Sequence, residues 1–174
     1  MKKGSAGTII LGIIMFVVGI SLFTGGIRGA TSNETTPPTA IINEFAVDKN
    51  DVAFCVTKVE NLKSIGSSYF EVATDYNFAV VTIQIFNNGT DPYDVNGLKF
   101  VLMQGDTEYE YNTDAVMALD NPLYLDTVNP GITKEYTIVY ETPTATDAGE
   151  FSLKIKPSAF SNYDCVYIAL KETK

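Results

Sequence analysis

The sequence predicts an all-β protein, an antiparallel sandwich of about seven strands, preceded by one N-terminal transmembrane helix. Three observations carry this. Residues 8–24, TIILGIIMFVVGISLFT, hold no charge. From residue 40 onward the apolar side chains recur with a period of two, which is the spacing of a strand with one buried face. Clusters of Asn, Asp, Gly and Pro break that alternation repeatedly, as expected of a sandwich and not of a mixed fold.

The N-terminus comes first. Residues 1–7 form a short cytoplasmic stub and residues 8–27 a span about 30 Å long as a helix, which matches a bilayer core. Lys2 and Lys3 precede the span and only Arg28 follows it closely. The positive-inside bias therefore places the rest of the chain outside, as a single-pass protein of the cell membrane. The competing reading is a cleaved secretory signal, whose apolar region runs about 7–15 residues. This run is longer, and a cut after Gly29 would put Ile27 at the −3 position, so the uncleaved span is preferred. No cysteine lies near residue 30, which excludes a lipid-modified cysteine anchor. Residues 28–40, RGATSNETTPPTA, hold no large apolar side chain and read as a flexible Ser/Thr/Pro tether. Asn33-Glu34-Thr35 and Asn88-Gly89-Thr90 match the N-glycosylation pattern, with Asn33 and Asn88 as acceptors.

The folded domain is expected over residues 41–174. VAFCVTKVE (52–60) and FAVVTIQIFN (78–87) are strands, the second placing Val81, Ile83 and Ile85 on one face and Val80, Thr82 and Gln84 on the other. Asn87-Asn88-Gly89-Thr90-Asp91-Pro92 ends it with turn-forming residues. LKFVLMQ (98–104) turns through Gly105-Asp106 into TEYEYN (107–112), a hairpin. Residues 113–128 are irregular, with room for one short helix over 113–120. Asn129-Pro130-Gly131 turns into ITKEYTIVYE (132–141), where Tyr136, Ile138 and Tyr140 share a face. EFSLKIK (150–156) points Phe151, Leu153 and Ile155 inward and Ser152, Lys154 and Lys156 outward. YDCVYIAL (163–170) is the last strand.

Composition excludes several chemistries. There is no histidine, so Ser-His-Asp and Cys-His activation and His-bearing zinc sites are unavailable. Beyond residue 29, nine lysines against 21 acids give a net charge of −12, which repels nucleic acid and anionic headgroups. Cys55 and Cys165 are the only cysteines. Outside the cell they either pair in a disulfide or stay as two buried thiols, and spacing does not decide between them. Acids crowd residues 91–126, where Asp91, Asp94, Asp106, Glu108, Glu110, Asp114, Asp120 and Asp126 meet only Lys99. A solvated acidic face is the first reading, and a calcium site at Asp91 and Asp94 the second. It is no EF-hand, because with Asp94, Asn96 and Gly97 at positions 3, 5 and 6 the first and last ligands would be Pro92 and Met103. Neither Glu108 with Glu110 nor Lys63 with Ser64 rises above a surface pair, so no catalytic residue is assigned. Ligand contacts are expected on turns, since the inward residues supply no polar constellation.

The run FAVVTIQIFNNGTDPYDV followed by LKFVLMQGDTEYEYN resembles the immunoglobulin-like, telokin-like extracellular domain family of unknown function. Val128-Asn129-Pro130-Gly131-Ile132-Thr133-Lys134 and Val139-Tyr140-Glu141-Thr142-Pro143 are similar to its second half, so the resemblance spans roughly residues 50–157. It implies an immunoglobulin-like sandwich exported behind a lipoprotein signal or a membrane span, in bacteria or archaea. The chain departs from it in lacking the lipobox cysteine and in a longer C-terminal strand. The family has no agreed activity, so no functional residue carries over. The expected role is a non-enzymatic binding or structural module at the cell surface, meeting a surface protein or glycan, without a resident cofactor. The alternative is a self-associating subunit of an envelope filament or surface assembly, its apolar N-terminus packed between protomers.

Overall fold

The alternation that puts Val81, Ile83 and Ile85 on one face builds the centre of the molecule, and all three are fully buried. The computed structural model describes residues 39–67, 69–119, 122–123, 126–144, 146–157 and 164–171. The expected stub (1–7), membrane span (8–27), Asn33 and most of the tether lie outside the described residues. Among those described, no helix is long and apolar enough to cross a membrane. The residues from Thr36 onward form one compact unit.

The described residues form eleven strands: β1 (Thr39–Ile41), β2 (Ala46–Val47), β3 (Val52–Ser67), β4 (Phe70–Asn87), β5 (Tyr93–Asp94), β6 (Lys99–Gln104), β7 (Thr107–Tyr109), β8 (Thr127–Val128), β9 (Thr133–Thr142), β10 (Ser152–Lys156) and β11 (Val166–Ala169). One sheet runs β1-β11-β10-β6-β7, the other β2-β3-β4-β9, and β5 pairs with β8 apart from both. The two large sheets close on a common core. Phe54, Val56, Ile83 and Ile138 come from one side, and Phe100, Leu102, Leu153 and Ile168 from the other. This is the expected sandwich, with more strands than the expected seven because β1, β2, β5, β7 and β8 have only two or three residues each.

Four details differ from the sequence reading. Thr39 and Ala40, inside the expected tether, already belong to β1, which pairs with β11. That pair is parallel, so the sandwich is not wholly antiparallel. Lys156, expected outward, is 7% exposed. It follows the inward Ile155 on β10, where a lysine stem can cover apolar surface while the ammonium reaches water. Finally, β3 and β4 continue well past the expected strands, as a long hairpin whose pairing runs on to Ser67 opposite Phe70.

The hairpin does not run straight. Leu62 pairs with Phe78 but Ser64 with Ala73, so the stretch from Thr74 to Asn77 bulges opposite Lys63. A bulge bends its strand and increases the twist. The Lys63 ammonium crosses the bulge and donates to the carbonyls of Asp75 and Tyr76. Beyond it, Ile65 and Val72 join Phe78, Val80 and Val139 in a second apolar cluster. Its cover is a short helix, α1 (Thr113–Met117), contributing Ala115 and Val116. Asn112 caps α1, its side chain accepting from the Ala115 N–H at 3.0 Å. The short helix allowed for in residues 113–120 is thus a brace for the hairpin. Gly66 permits the close approach there. Its φ is +108°, and a Cβ would lie 2.1 Å from the Phe70 carbonyl oxygen.

Candidate functional site

Two features stand out on the surface, the free end of the hairpin and a cleft at one side of the sandwich. At the hairpin end Tyr69 is 99% exposed and Phe70 56%, and at the bulge Tyr76 is 58% and Leu62 39% exposed. The anchoring cluster holds Ile65 and Val72 below the tip, so these aromatics stand on a braced element. Aromatic side chains left in water on a fixed scaffold are what interfaces are enriched in. The aromatic face was legible in principle. Phe70, Val72, Thr74, Tyr76 and Phe78 alternate with Glu71, Ala73, Asp75 and Asn77, and the bulge obscures the strand.

The cleft opens where β7 hands the chain across to β9. Tyr111 bridges Tyr140, and the Asn112 N–H donates to the Val139 carbonyl at 2.7 Å. Pro122 then pairs alongside Thr137. Between these crossings and the start of β6 lies a space of about 160 Å³ lined by Val95, Leu98, Phe100, Val116, Leu123 and Ile138. Asn96 and Tyr111 are its polar members. Asn96 is oriented, since its Oδ1 accepts from the Asp126 N–H at 3.0 Å.

Among the described residues, the acids singled out in the sequence do not gather. Asp94 caps the 3-10 turn Val95–Gly97, accepting from the Asn96 N–H at 2.9 Å. Asp91 is exposed, its carboxylate accepting from the neighbouring Thr90 hydroxyl at 3.4 Å. Glu108 pairs with Lys154 at 3.3 Å and Glu110 with Lys99 at 2.6 Å, across to lysines of the same sheet. Among the described residues no group of three or more acids or cysteines is placed to hold a metal ion. Millimolar calcium should leave the melting temperature unchanged in a thermal scan, because a ligand stabilises only by binding the folded state preferentially.

One carboxylate is engaged in full. The Lys134 ammonium donates to both oxygens of Asp126, at 2.7 and 2.9 Å, and to the Thr127 carbonyl at 2.9 Å. The Tyr136 hydroxyl donates to Asp126 Oδ2 at 2.8 Å. The Lys134 bond first, then that of Tyr136, holds the Asp126 carboxyl below its usual range. Burial and the Asp126 contact push the Tyr136 hydroxyl up. Such a group is locked as an anion, which fits a clasp on the loop before β9 better than proton transfer.

The cysteines are not joined. Cys55 lies on β3 of one sheet and Cys165 just before β11 of the other, and both are buried. Its neighbours Phe54 and Val56 face the core, so Cys55 points away from the opposite sheet. Packed sheets stand about 10 Å apart, beyond disulfide reach. Burial pushes the Cys55 thiol up. Asn88 is exposed in its turn, where a glycan would meet no core.

A family model described as a domain of unknown function (DUF4352) matches residues 42–165. No curated protein matches the chain. Solved structures share the fold at low identity. The yjhA protein from Bacillus subtilis is 16% identical with a TM-score of 0.60, over 76% of this chain and 99% of that one. The secreted protein MPT63 from Mycobacterium tuberculosis is 11% identical with a TM-score of 0.55, over 80% and 100%. An uncharacterized β-sandwich protein from Clostridium difficile 630 is 10% identical with a TM-score of 0.50, over 82% and 100%.

Proposed function

The chain belongs to the DUF4352 family of domains of unknown function, and on that premise we propose a non-enzymatic binding module at the cell surface, held outside the membrane by residues 8–27. It meets a surface protein or glycan through the exposed end of the β3–β4 hairpin. The observation that carries this reading is the set of Tyr69, Phe70 and Tyr76, open to solvent on a hairpin that α1 braces. A hairpin serving only the core would not need a second apolar cluster to hold it, nor would it expose two aromatics at its far end and a third at its bulge. The uncharged run 8–24 behind two lysines supports the tether. The carboxylates support a non-catalytic role, since Asp94, Glu108, Glu110 and Asp126 are each engaged in caps or ion pairs within the fold.

The experiment uses cells that make the full-length chain. Added protease should remove the domain and leave a short membrane-held stub. A labelled chain carrying Tyr69→Ser, Phe70→Ser and Tyr76→Ser together should melt within about 3 °C of the original, because exposed positions contribute little to stability. It should bind the intact cell surface at least about tenfold more weakly. A domain that protease cannot reach, or unchanged binding by the triple variant, would overturn the proposal.

A further inference from the structure

The turn after β4 carries the pair Asn88-Gly89. An asparagine side-chain amide is most open to attack by the next backbone nitrogen when that residue is glycine, which has no Cβ to obstruct the approach. Asn88 is exposed. Gly89 cannot be exchanged for a more obstructing residue, since a Cβ there would lie 2.9 Å from the Asn50 carbonyl oxygen. The turn therefore keeps a chemically labile pair at the surface.

The fold nevertheless restrains the nucleophile. The Gly89 N–H donates to Asn87 Oδ1 at 2.9 Å. Asn87 is buried, and its Nδ2 donates to the carbonyls of Asp91 and Val128, so the accepting oxygen is itself fixed. The Asn88 N–H donates to the Asp51 carbonyl at 3.0 Å, which pins the residue from its other side. The Gly89 nitrogen cannot give up its proton or turn toward the Asn88 side chain without breaking a hydrogen bond.

We infer that Asn88 is a deamidation site held unreactive by the Asn87 side chain, and that local opening of this turn releases it. In the open turn the Gly89 nitrogen loses its proton to water and bonds to Asn88 Cγ, while Nδ2 leaves as ammonia and a succinimide ring closes. Water then opens the ring at either carbonyl, leaving aspartate or isoaspartate at position 88. Either product adds a negative charge to a turn that already carries Asp91. Isoaspartate also lengthens the backbone by a methylene, which moves the Gly89 N–H away from Asn87 and prevents the turn from closing as before. Deamidation removes the nitrogen that a glycan would occupy, so the two modifications of Asn88 exclude each other.

Full-length chain in detergent, made without glycans and held at mildly alkaline pH, tests this by mass spectrometry of the peptide containing Asn88. Deamidation in the unaltered folded chain should be at least about tenfold slower than in the same chain unfolded in urea. Asn87→Ala removes the acceptor and should speed the folded-state reaction about tenfold or more. Ile83→Ala weakens the fold to a similar extent but leaves the turn bonds in place, so it should change the rate by less than about threefold. In the unaltered chain, urea below the unfolding midpoint should raise the rate in step with hydrogen exchange of the Gly89 N–H. Equal rates in the folded and unfolded chain would overturn the proposal. So would a rate in Asn87→Ala no higher than in Ile83→Ala, or one that follows only global unfolding.

Discussion

Replacing Ile83 with alanine should lower the unfolding free energy by about 2–4 kcal/mol, among the larger losses available from a single truncation. Ile83 is fully buried. It stands on β4, a strand flanked on both sides, opposite Val56 of β3 and Tyr136 of β9. Both neighbours are tied by ladder hydrogen bonds, so the sheet cannot close around the missing methyl groups and a cavity adds to the lost burial. Gln84→Ala, one residue along on the opposite face, should cost no more than about 0.5 kcal/mol. Urea denaturation of the unit from Thr36 onward measures both. The midpoint should fall for Ile83→Ala with an unchanged slope. A loss below about 0.5 kcal/mol would show that the inward face of β4 has been assigned wrongly.

The strand around Ile83 was legible because burial there is uniform. Val81, Ile83 and Ile85 all face one core, and a period of two is enough to find them. The same logic found the inward residues of β6 and β9, and of β10 as far as Ile155; it failed at Lys156. It missed the distal hairpin, where the bulge of Thr74 to Asn77 against Lys63 shifts the register that the alternation of Phe70, Val72 and Thr74 would have shown. It also missed the parallel pairing of Thr39 with Tyr167, since contacts between distant segments leave no local pattern. The candidate sites were less legible than the fold. Cleft residues such as Val95, Leu123 and Ile138 look like any core residue until the segments are brought together. The acids of 91–126 look like a cluster in sequence, yet Asp94, Glu110 and Asp126 each meet a backbone N–H or a lysine on a separate element. Asn87 is the sharpest case. It reads as the first residue of an exposed turn, and it is 1% exposed.

Asn87→Asp should destabilise the protein more at pH 7 than at pH 4. The Asn87 amide is a knot for three segments: its Nδ2 donates to the carbonyls of Asp91 and Val128, both at 2.8 Å, and its Oδ1 accepts from the Gly89 N–H at 2.9 Å. Its backbone N–H donates to the Ile132 carbonyl at 3.1 Å, and its own carbonyl accepts from the Gly131 N–H at 2.8 Å. Aspartate has the same shape but puts an oxygen where two donated bonds arise. Ionised, that oxygen faces two carbonyl oxygens inside the fold, so burial and repulsion raise the folded-state pKa above the usual carboxylate value. The native state then holds the proton more tightly than the unfolded chain. Stability relative to the original protein therefore falls as pH rises between the unfolded and folded pKa values, and levels off above the latter. At pH 4 the protonated acid restores one of the two donated bonds. Asn87→Ala removes all three side-chain bonds without adding charge, and should cost about 2–4 kcal/mol at both pH values. Urea midpoints of the three proteins at pH 4 and pH 7 separate these effects, because titration of groups shared by all three cancels in the difference. If Asn87→Asp lost the same stability at both pH values, the buried knot would not be what holds the turn.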